Sequence, residues 1–441
     1  MAFLLGIDVG TTRTKAVLVD GTGAEVASAA RPTPFATSAA GVEAPAAALL
    51  DVVAETTAGL GDGLGRVAGV GVAGLGESGA PVDAAGRPLA PVIAWHDPRG
   101  AEAVALLEGR FGPDLALALG QRVRTVSSVA KLGWLVGPGG VAGVRRWLGV
   151  PELVLHRLTG AEATDFSLAA RTGAYDVRRC RPLPRVAQAL GVPADVFVPP
   201  APAGTVMGSV TAAGAAWLGV PAGIPVTVAG HDHLAGVVGA GAGAGDVVNS
   251  VGTAETVVAA SAALPDAAAA VEHHAMVTVL PGGDGWAVLA SAARAGLVLE
   301  AAATALGRTP AELDALVAGA DPVDADAWVE AAAGAVRGSG PADVPPLPAG
   351  DPGRVWDGVL HALSARTWDA VRRLEEVAGR RRRLLVFGGG SRSRPWLDAK
   401  AAEGWLPVVR AEAHDAPARG AALYAGAAAG WWPAPTPLPS T

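Results

Sequence analysis

Two segments of the sequence share one pattern, in which an apolar run ends in a Gly-Thr turn and continues into a second β-type run. The first has its apolar run at residues 3–9 and its turn at 10–12, and the second has them at 246–250 and 251–253. Apolar runs joined by a short turn predict consecutive strands. A Thr-rich turn offers hydroxyls and backbone N–H groups to a phosphate, and Lys15 adds positive charge beside the first turn. A plain β-hairpin is the alternative interpretation of the first segment.

Two acidic residues stand at the ends of predicted strands. Asp8 lies at the end of the first apolar run, where its carboxylate can hold Mg²⁺ directly or through water. Apolar residues 224–229 lead into Asp232, which lies within the sequence Gly-His-Asp-His, and residues 236–245 are rich in Gly and Ala. An acid at the mouth of a strand, beside backbone that a ligand can approach closely, favours a group-transfer site. The alternative is an ordinary turn that exposes an Asp.

The histidines on either side of Asp232 are the next candidates for chemistry. His231 and His233 are attractive as metal ligands, but no third partner can be placed with them from the sequence. We therefore expect them to orient the loop or to contact the substrate.

Composition excludes several classes of protein. The net charge is -7 and no basic stripe is present, which argues against nucleic acid as a partner. A single cysteine, Cys180, excludes a disulfide framework within the chain and suits a reducing compartment. The N-terminus lacks the basic region of a signal peptide, and no uninterrupted stretch is apolar enough for a membrane span. A cytoplasmic protein of two or three domains is expected from these features and from the length of 441 residues.

Three glycines in the predicted strand at 67–75 imitate a dinucleotide-binding fingerprint. Gly69, Gly71 and Gly74 match the G-x-G-x-x-G pattern, but turn-forming residues follow them where a helix should begin. We therefore reject a nicotinamide-cofactor site. Glu77, in that turn, is instead a candidate acid for binding substrate hydroxyls.

The remaining patterns place the other elements coarsely. Trp95 can stack on a sugar face or fill the core, and Asp97 and Arg99 are expected to pair locally. Residues 388–390 are three glycines between a strand and a helix, which let a flat ligand lie against bare backbone. The patterns predict helices over 45–60, 101–119, 127–136 and 355–379, strands over 91–95 and 384–387, a long loop over 330–353 and a loose tail over 431–441.

Taken in order, Asp8 with the turn at 10–12, the turn at 251–253 and residues 384–390 resemble the phosphate and adenosine motifs of the actin-like ATPase superfamily. Asp232 in Gly-His-Asp-His, the tract at 158–176 and the sequence AWHDPR at 94–99 narrow the resemblance to the FGGY carbohydrate kinases. The resemblance implies an α/β fold of two ribonuclease-H-like domains, each a mixed sheet flanked by helices, with the active site in the cleft between them. It implies a sugar-binding domain over 1–241, a nucleotide-binding domain over 242–430 and a loose tail over 431–441.

The resemblance also implies roles for individual residues, with ATP and Mg²⁺ as cofactors. Asp232 would be the catalytic base and Asp8 would help to bind Mg²⁺, while Glu77 and His233 would contact the sugar together with Asp232. The positions that would bind ATP are Thr11, Thr12, Lys15, Thr253, Gly296, Gly389, Gly390 and Ser393.

The substrate class is the least determined part of the prediction. Gly-His-Asp followed by a Ser-x-Gly-Thr turn favours a ketose such as a pentulose or a deoxyhexulose. A polyol or aldonate kinase of the same family, or a non-catalytic nucleotide-dependent sugar sensor, remains as an alternative. Three departures from the family pattern bear on the substrate, namely Gly76, Ala301 and the loop at 340–353. The sequence does not determine the oligomeric state, and a homodimer is one possibility.

Overall fold

The computed structural model describes residues 1–317, 319, 322–335 and 344–435. Up to residue 239 the elements are β1 Phe3–Val9, β2 Arg13–Val19, β3 Glu25–Pro32, β4 Ala36–Ser38, β5 Gly41–Ala44, α1 Ala46–Ala58, β6 Val67–Gly74, β7 Gly79–Val82, β8 Val92–Ile93, α2 Ala101–Phe111, α3 Pro113–Leu119, α4 Ser128–Val136, β9 Arg146–Gly149, α5 Val150–Thr159, α6 Phe166–Arg171, β10 Tyr175–Asp176, β11 Arg181–Pro182, α7 Pro184–Ala189, β12 Gly208–Ser209, α8 Ala212–Leu218, β13 Pro225–His231 and α9 Asp232–Gly239.

The second half of the chain continues the alternation of strands and helices. Its elements are β14 Asp246–Val251, β15 Glu255–Ser261, α10 Ala267–Glu272, β16 Met276–Val279, β17 Trp286–Ala293, α11 Ala295–Ala305, α12 Pro310–Asp314, α13 Asp326–Ala335, α14 Pro352–Ala378, β18 Arg383–Phe387, α15 Arg394–Glu403, β19 Val408–Arg410 and α16 Ala416–Ala428. No helix in the described part of the chain is both long enough and apolar enough to cross a membrane.

Two six-stranded sheets repeat one topology. The first has the order β12-β13-β6-β1-β2-β3 and the second has the order β16-β17-β15-β14-β18-β19. In the first, an antiparallel meander β1-β2-β3 is extended by the parallel strands β6 and β13. In the second, the meander β14-β15-β17 is extended by the parallel strands β18 and β19. This repeat confirms the predicted α/β fold of two ribonuclease-H-like units.

Strand register brings the candidate acids to one edge of the first sheet. Asp8 on β1 and Gly230 on β13 both pair with Ala73 on β6. Because the carboxyl ends of parallel strands meet at one edge, the segments that follow these strands emerge side by side. Asp232 and Glu77 lie on two of those segments. In the second sheet, Ser250 pairs with Phe387, which brings the turns after β14 and β18 together in the same way.

The glycines of β6 serve packing rather than a cofactor. A Cβ at Gly71 would overlap the carbonyl of Ala421, and a Cβ at Gly6 on β1 would overlap that of Ala418, so α16 lies directly on the bare face of both strands. This contact explains the imitation fingerprint. It also places α16 on the first sheet, although α16 comes after the strands of the second sheet in the chain. The division of the chain into two domains at 241/242 stays a prediction.

Several predicted elements differ in the structure. The helix expected over 101–119 is divided at Gly112, whose φ of 56° ends α2, and the strand expected over 91–95 is only β8. The loop prediction over 330–353 is wrong at both ends, where α13 continues to Ala335 and α14 begins at Pro352, while residues 336–343 lie outside the described residues.

The start of the predicted loose tail is packed. Trp431 and Trp432 lie against the apolar cluster beneath α16, and the Trp432 indole N–H donates to the carbonyl of Leu423 at 3.1 Å. Residues 436–441 of the same prediction lie outside the described residues.

Candidate active site

One large cavity of about 1580 Å³ lies at the edges of the two sheets. It gathers the residues that the sequence analysis assigned to catalysis, substrate, metal and nucleotide. The cavity is lined by Asp8, Thr11, Thr12, Lys15, Glu77, Asp232, His233, Thr253, Gly296, Gly389, Gly390 and Ser393. Positions nearly 390 residues apart in sequence therefore share one site.

The two Gly-Thr turns meet across this cavity. The hydroxyl oxygens of Thr12 and Thr253 are 2.6 Å apart and form a hydrogen bond. The indole N–H of Trp95 donates to the hydroxyl of Thr11 at 2.8 Å, so Trp95 supports the first turn while also packing on the first core. A Cβ at Gly296 would lie 2.5 Å from the carbonyl oxygen of Gly252, so glycine there lets α11 begin against the second turn. We call this region the phosphate end of the cavity.

Charged groups surround Asp8 behind the first turn. The Lys15 ammonium lies 2.9 Å from Asp415 and 4.0 Å from Asp8, so Lys15 is ion-paired where it lines the cavity. Burial raises the pKa of Asp8 well above its usual range, Lys15 opposes that shift, and Asp232 and Asp415 add to it. The Oδ1 atom of Asp8 is buried with no hydrogen-bond partner among the described residues, which fits a carboxylate whose charge a cation would balance.

Asp415 is a site residue that the sequence analysis missed. Its signal was present, because it stands before Ala-Pro at the start of α16, where an acidic N-terminal residue is common. Nothing in the sequence indicated that α16 crosses to the first sheet, which is what brings Asp415 to Lys15.

Asp232 is held at the junction of β13 and α9. Gly230 has a φ of 105°, and a Cβ there would lie 2.6 Å from the Ser167 hydroxyl, so glycine is required. The backbone N–H of His231 donates to the Ser167 hydroxyl at 2.9 Å, and that hydroxyl donates to Asp165 at 2.6 Å. Helix α6, which Asp165 caps, therefore fixes the turn that carries Asp232.

The two histidines flank the Asp232 carboxylate. The His231 Nε2 atom lies 3.3 Å from Asp232 Oδ1, and the backbone N–H of His233 donates to the same oxygen at 2.7 Å. Burial lowers the pKa of His231 well below its usual range, and the nearby His233 and Arg171 add to the effect, so His231 is neutral at neutral pH. Ligand atoms of the three residues lie within 4.8 Å of one another, so Asp232 supplies the third partner that the sequence did not place.

Glu77 lies among long charged side chains, in contrast to the short hydroxyl side chains of the Gly-Thr turns. Its φ of 62° is rare for a residue with a side chain. One carboxylate oxygen, Oε1, accepts from the Arg171 Nε at 2.7 Å and also from the Arg171 Nη2. A second arginine, Arg124, lines the same part of the cavity, and its guanidinium lies 3.3 Å from the sulfur of Met276. We call this region the acceptor end.

The arginines of the acceptor end were not predicted from the sequence. Arg171 lies in the tract at 158–176 that marks the family resemblance, but no role was assigned to it. The helical cap at Asp165 was visible and indicated that a helix begins there. That this helix turns Arg171 toward Glu77 depends on tertiary packing, which no local pattern reports.

The segment after β8 is stabilised by buried charges. Arg99 pairs with Asp97 at 2.8 Å, as predicted, and also with Glu43 at 2.9 Å. The Lys131 ammonium donates to the backbone carbonyl of Asp97, and burial lowers the pKa of Lys131 to about 8. These contacts hold Trp95 against the first Gly-Thr turn.

The glycines after β18 have different functions. A Cβ at Gly390 would lie 2.5 Å from Val251 and would also overlap the Trp396 ring, whereas a Cβ at Gly389 would meet nothing within 4 Å in the described part of the chain. The Ser393 hydroxyl accepts from the backbone N–H of Trp396 at 3.2 Å and so caps α15. Gly390 is thus needed for close packing, and Gly389 leaves open space at the cavity wall.

A buried ion pair that the sequence analysis missed anchors the second Gly-Thr turn. Glu255, two residues after Thr253, accepts from the Lys400 ammonium at 2.5 Å and from the Thr367 hydroxyl at 2.8 Å. Burial lowers the pKa of Lys400, and Glu255 opposes that shift. Strand β15 is thereby tied to α14 and α15.

Comparisons with known proteins agree with this geometry. Residues 3–239 match the FGGY family of carbohydrate kinases, N-terminal domain. Similar proteins include the L-fuculokinase of Escherichia coli (strain K12), 34% identical over 207 residues that cover 45% of this chain and 42% of the relative. They also include the xylulose kinase of Streptomyces coelicolor, 28% identical over 277 residues that cover 59% and 55%. The chain spans about half the length of these relatives.

Solved structures show the same fold over nearly the whole chain. A xylulose kinase from Rhodospirillum rubrum superposes with a TM-score of 0.77 at 25% identity, covering 97% of this chain and 92% of that one. A ligand-bound xylulose kinase from Lactobacillus acidophilus superposes with a TM-score of 0.82 at 19% identity, covering 98% and 90%. With the family match over more than half of its residues, this chain belongs to the FGGY family of carbohydrate kinases.

Proposed function

We propose that the protein is an ATP-dependent kinase that transfers the γ-phosphate of ATP to a hydroxyl of a sugar, with Asp232 as the general base. The observation that carries the proposal is that Asp232 lines the same cavity as the two Gly-Thr turns, whose Thr12 and Thr253 hydroxyls form a hydrogen bond. Relatives named fuculokinase, xylulose kinase and gluconokinase support the reaction class.

Asp232 is suited to take a proton from an alcohol. Its Oδ1 atom accepts from the His233 backbone N–H, and its Oδ2 atom has no protein partner among the described residues, so Oδ2 is available to a substrate hydroxyl. An alcohol is a weak nucleophile at neutral pH, and a carboxylate within hydrogen-bond reach removes its proton as the bond to phosphorus forms. The proton moves to Asp232, the γ-phosphoryl group passes from ATP to the sugar oxygen, and ADP is the leaving group.

The phosphate end would hold the nucleotide. Phosphoryl transfer depends on positioning and on neutralising charge, and turns that present N–H and hydroxyl groups provide the positioning. We assign ATP binding to Thr11, Thr12, Lys15, Thr253, Gly296, Gly389, Gly390 and Ser393, and Mg²⁺ binding to Asp8. When bound, Mg²⁺ would neutralise charge on the phosphates. We assign sugar binding to a domain over residues 1–241 and nucleotide binding to a domain over residues 242–430.

The acceptor end would hold the sugar. Glu77 uses one carboxylate oxygen for Arg171, and its Oε2 atom has no partner among the described residues, so a sugar hydroxyl can donate to it. His233 lies next to the base and completes the contact surface. The fuculokinase and xylulose kinase relatives favour a ketose as the acceptor. A sugar acid is the second candidate, favoured by Arg124, whose guanidinium has no carboxylate partner among the described residues.

Product analysis tests the function without any variant. The protein is incubated with Mg²⁺ and ATP over a panel of ketoses, polyols and aldonates, and ³¹P NMR follows every phosphorus species. We expect ADP and a sugar phosphate ester in equal amounts with at least one acceptor. ATP hydrolysis to inorganic phosphate alone, or no ADP with any acceptor, contradicts the proposal and favours the non-catalytic sensor.

A further inference from the structure

The charges at the acceptor end do not balance. Glu77 and Arg171 form a buried pair, with only 6% and 7% of the two side chains exposed, and together they carry no net charge. Arg124 is a further positive charge lining the same cavity. The acceptor end therefore carries an excess of one positive charge from these three side chains.

The Arg124 side chain is exposed to solvent in the cavity, and its contacts with the protein are few. Its Nη2 atom donates to the Met276 sulfur at 3.3 Å, and the described residues give its guanidinium no oxygen acceptor. A thioether is a weak and neutral acceptor, so this contact does not itself balance the charge of the guanidinium. Arg171 Nη1 approaches the same sulfur at 3.4 Å, so two guanidinium groups converge on one atom. Desolvation and the charge of Arg171 lower the pKa of Arg124, and the Glu77 carboxylate opposes that shift.

The sequence departure at Gly76 makes this arrangement possible. A Cβ at Gly76 would lie 3.2 Å from the Arg171 Cγ and 3.1 Å from the His231 Cδ2 atom. Both distances are tighter than ordinary contacts, so a side chain at position 76 would press on Arg171. With glycine at this position, Arg171 on α6 can pair with Glu77. Arg124 then lies near a Glu77–Arg171 pair whose two charges already cancel.

We propose that the acceptor of this kinase is a sugar acid whose carboxylate binds the Arg124 guanidinium, with Arg171 holding Glu77 for the neighbouring hydroxyls. The inference rests on the proposed function and narrows its substrate. A guanidinium presents paired N–H groups that match a carboxylate, and a single negative charge balances the single excess positive charge. A phosphate ester would bring nearly two negative charges to one uncompensated arginine.

Binding without nucleotide tests the inference separately from catalysis. Isothermal titration calorimetry compares D-gluconate with D-glucitol, D-xylonate with xylitol, and L-fuconate with L-fucitol, because each pair differs only in a carboxylate at one end. We expect at least one acid to bind about 30-fold more tightly than its alditol, as a charge-assisted hydrogen bond supplies. In Arg124→Gln that acid loses about 30-fold in affinity while the alditol changes less than about threefold.

The matched control is Arg122→Gln. Arg122 is exposed on the same segment and does not line the cavity, so this variant should bind acid and alditol as the wild type does. The inference is overturned if no acid binds more tightly than its alditol, if Arg124→Gln weakens both equally, or if D-glucitol 6-phosphate binds more tightly than D-gluconate. A carboxylate preference in binding with no phosphorylated product would instead contradict the proposed kinase activity and leave the carboxylate site supported.

Discussion

The phosphate end and the acceptor end of the cavity are formed by different kinds of chemical groups. The phosphate end consists of backbone turns and short hydroxyl side chains, such as Thr12 and Thr253, that follow directly from strand ends. The acceptor end consists of long charged side chains, Glu77, Arg124 and Arg171, delivered by three separate segments. Sheet register determines the first arrangement, and the packing of α6 determines the second.

This difference indicates which part of the site a shared fold keeps constant among relatives and which part it allows to vary. A turn between two paired strands has few alternatives once the register is set, so its chemistry can persist across relatives of low identity. Side chains brought together by a helix and loops can be exchanged one at a time. We therefore expect changes at the acceptor end to alter the substrate, and changes at the phosphate end to alter nucleotide use.

Among the variants that separate the two ends, the largest effect is expected from Arg171→Met. Removing this guanidinium leaves Glu77 buried without its charge partner, which should lower the free energy of unfolding by about 3 kcal/mol. Acceptor KM should rise at least about tenfold, since Glu77 is no longer held, while ATP KM stays within about twofold. Urea denaturation and steady-state kinetics measure the two effects.

A double variant sharpens this test. Adding Glu77→Gln to Arg171→Met removes the unpaired buried charge, so much of the stability should return while the acceptor KM stays high. Arg145→Met is the matched control, because Arg145 is exposed and its ion-pair partner, Asp195, is exposed as well. A rise in ATP KM equal to that of the acceptor would contradict the separation of the two ends.

A smaller effect, confined to the phosphate end, is expected from Gly296→Ala. The new methyl group would lie 2.5 Å from the Gly252 carbonyl oxygen and push the second Gly-Thr turn out of position. We expect kcat/KM for ATP to fall about tenfold with acceptor KM changed less than about twofold. Gly334→Ala on α13 is the control, because its methyl group meets no atom of the described residues within 4 Å. Unchanged ATP kinetics would show that α11 does not need to approach the turn.

The sequence was sufficient for features that depend on neighbouring residues. Both Gly-Thr turns, the strand that ends before Asp232 and the local Asp97–Arg99 pair follow from patterns of a few residues, and the structure contains each of them. The fold itself came from the order of such motifs along the chain.

Features that depend on distant contacts were not predictable in this way. Two of the three β6 glycines that imitated a cofactor site, Gly69 and Gly71, permit the close approach of α16, whose residues come about 350 positions later. Asp415 reaches Lys15 through the same crossing, and Arg171 reaches Glu77 through the placement of α6. Helix α13 was taken for loop because the apolar face of that Ala-rich segment is defined only by what it packs against.

The central claim is that Asp232 links the two ends as the base of phosphoryl transfer, and Asp232→Asn tests it most directly. The Asn side-chain oxygen can still accept from the His233 backbone N–H, so the turn is retained while the proton acceptor is lost. Asp51→Asn, at an exposed position of α1, is the control. The account predicts a loss of roughly 1000-fold in kcat, with ATP binding by calorimetry unchanged within about twofold. Transfer at the wild-type rate in Asp232→Asn would contradict it.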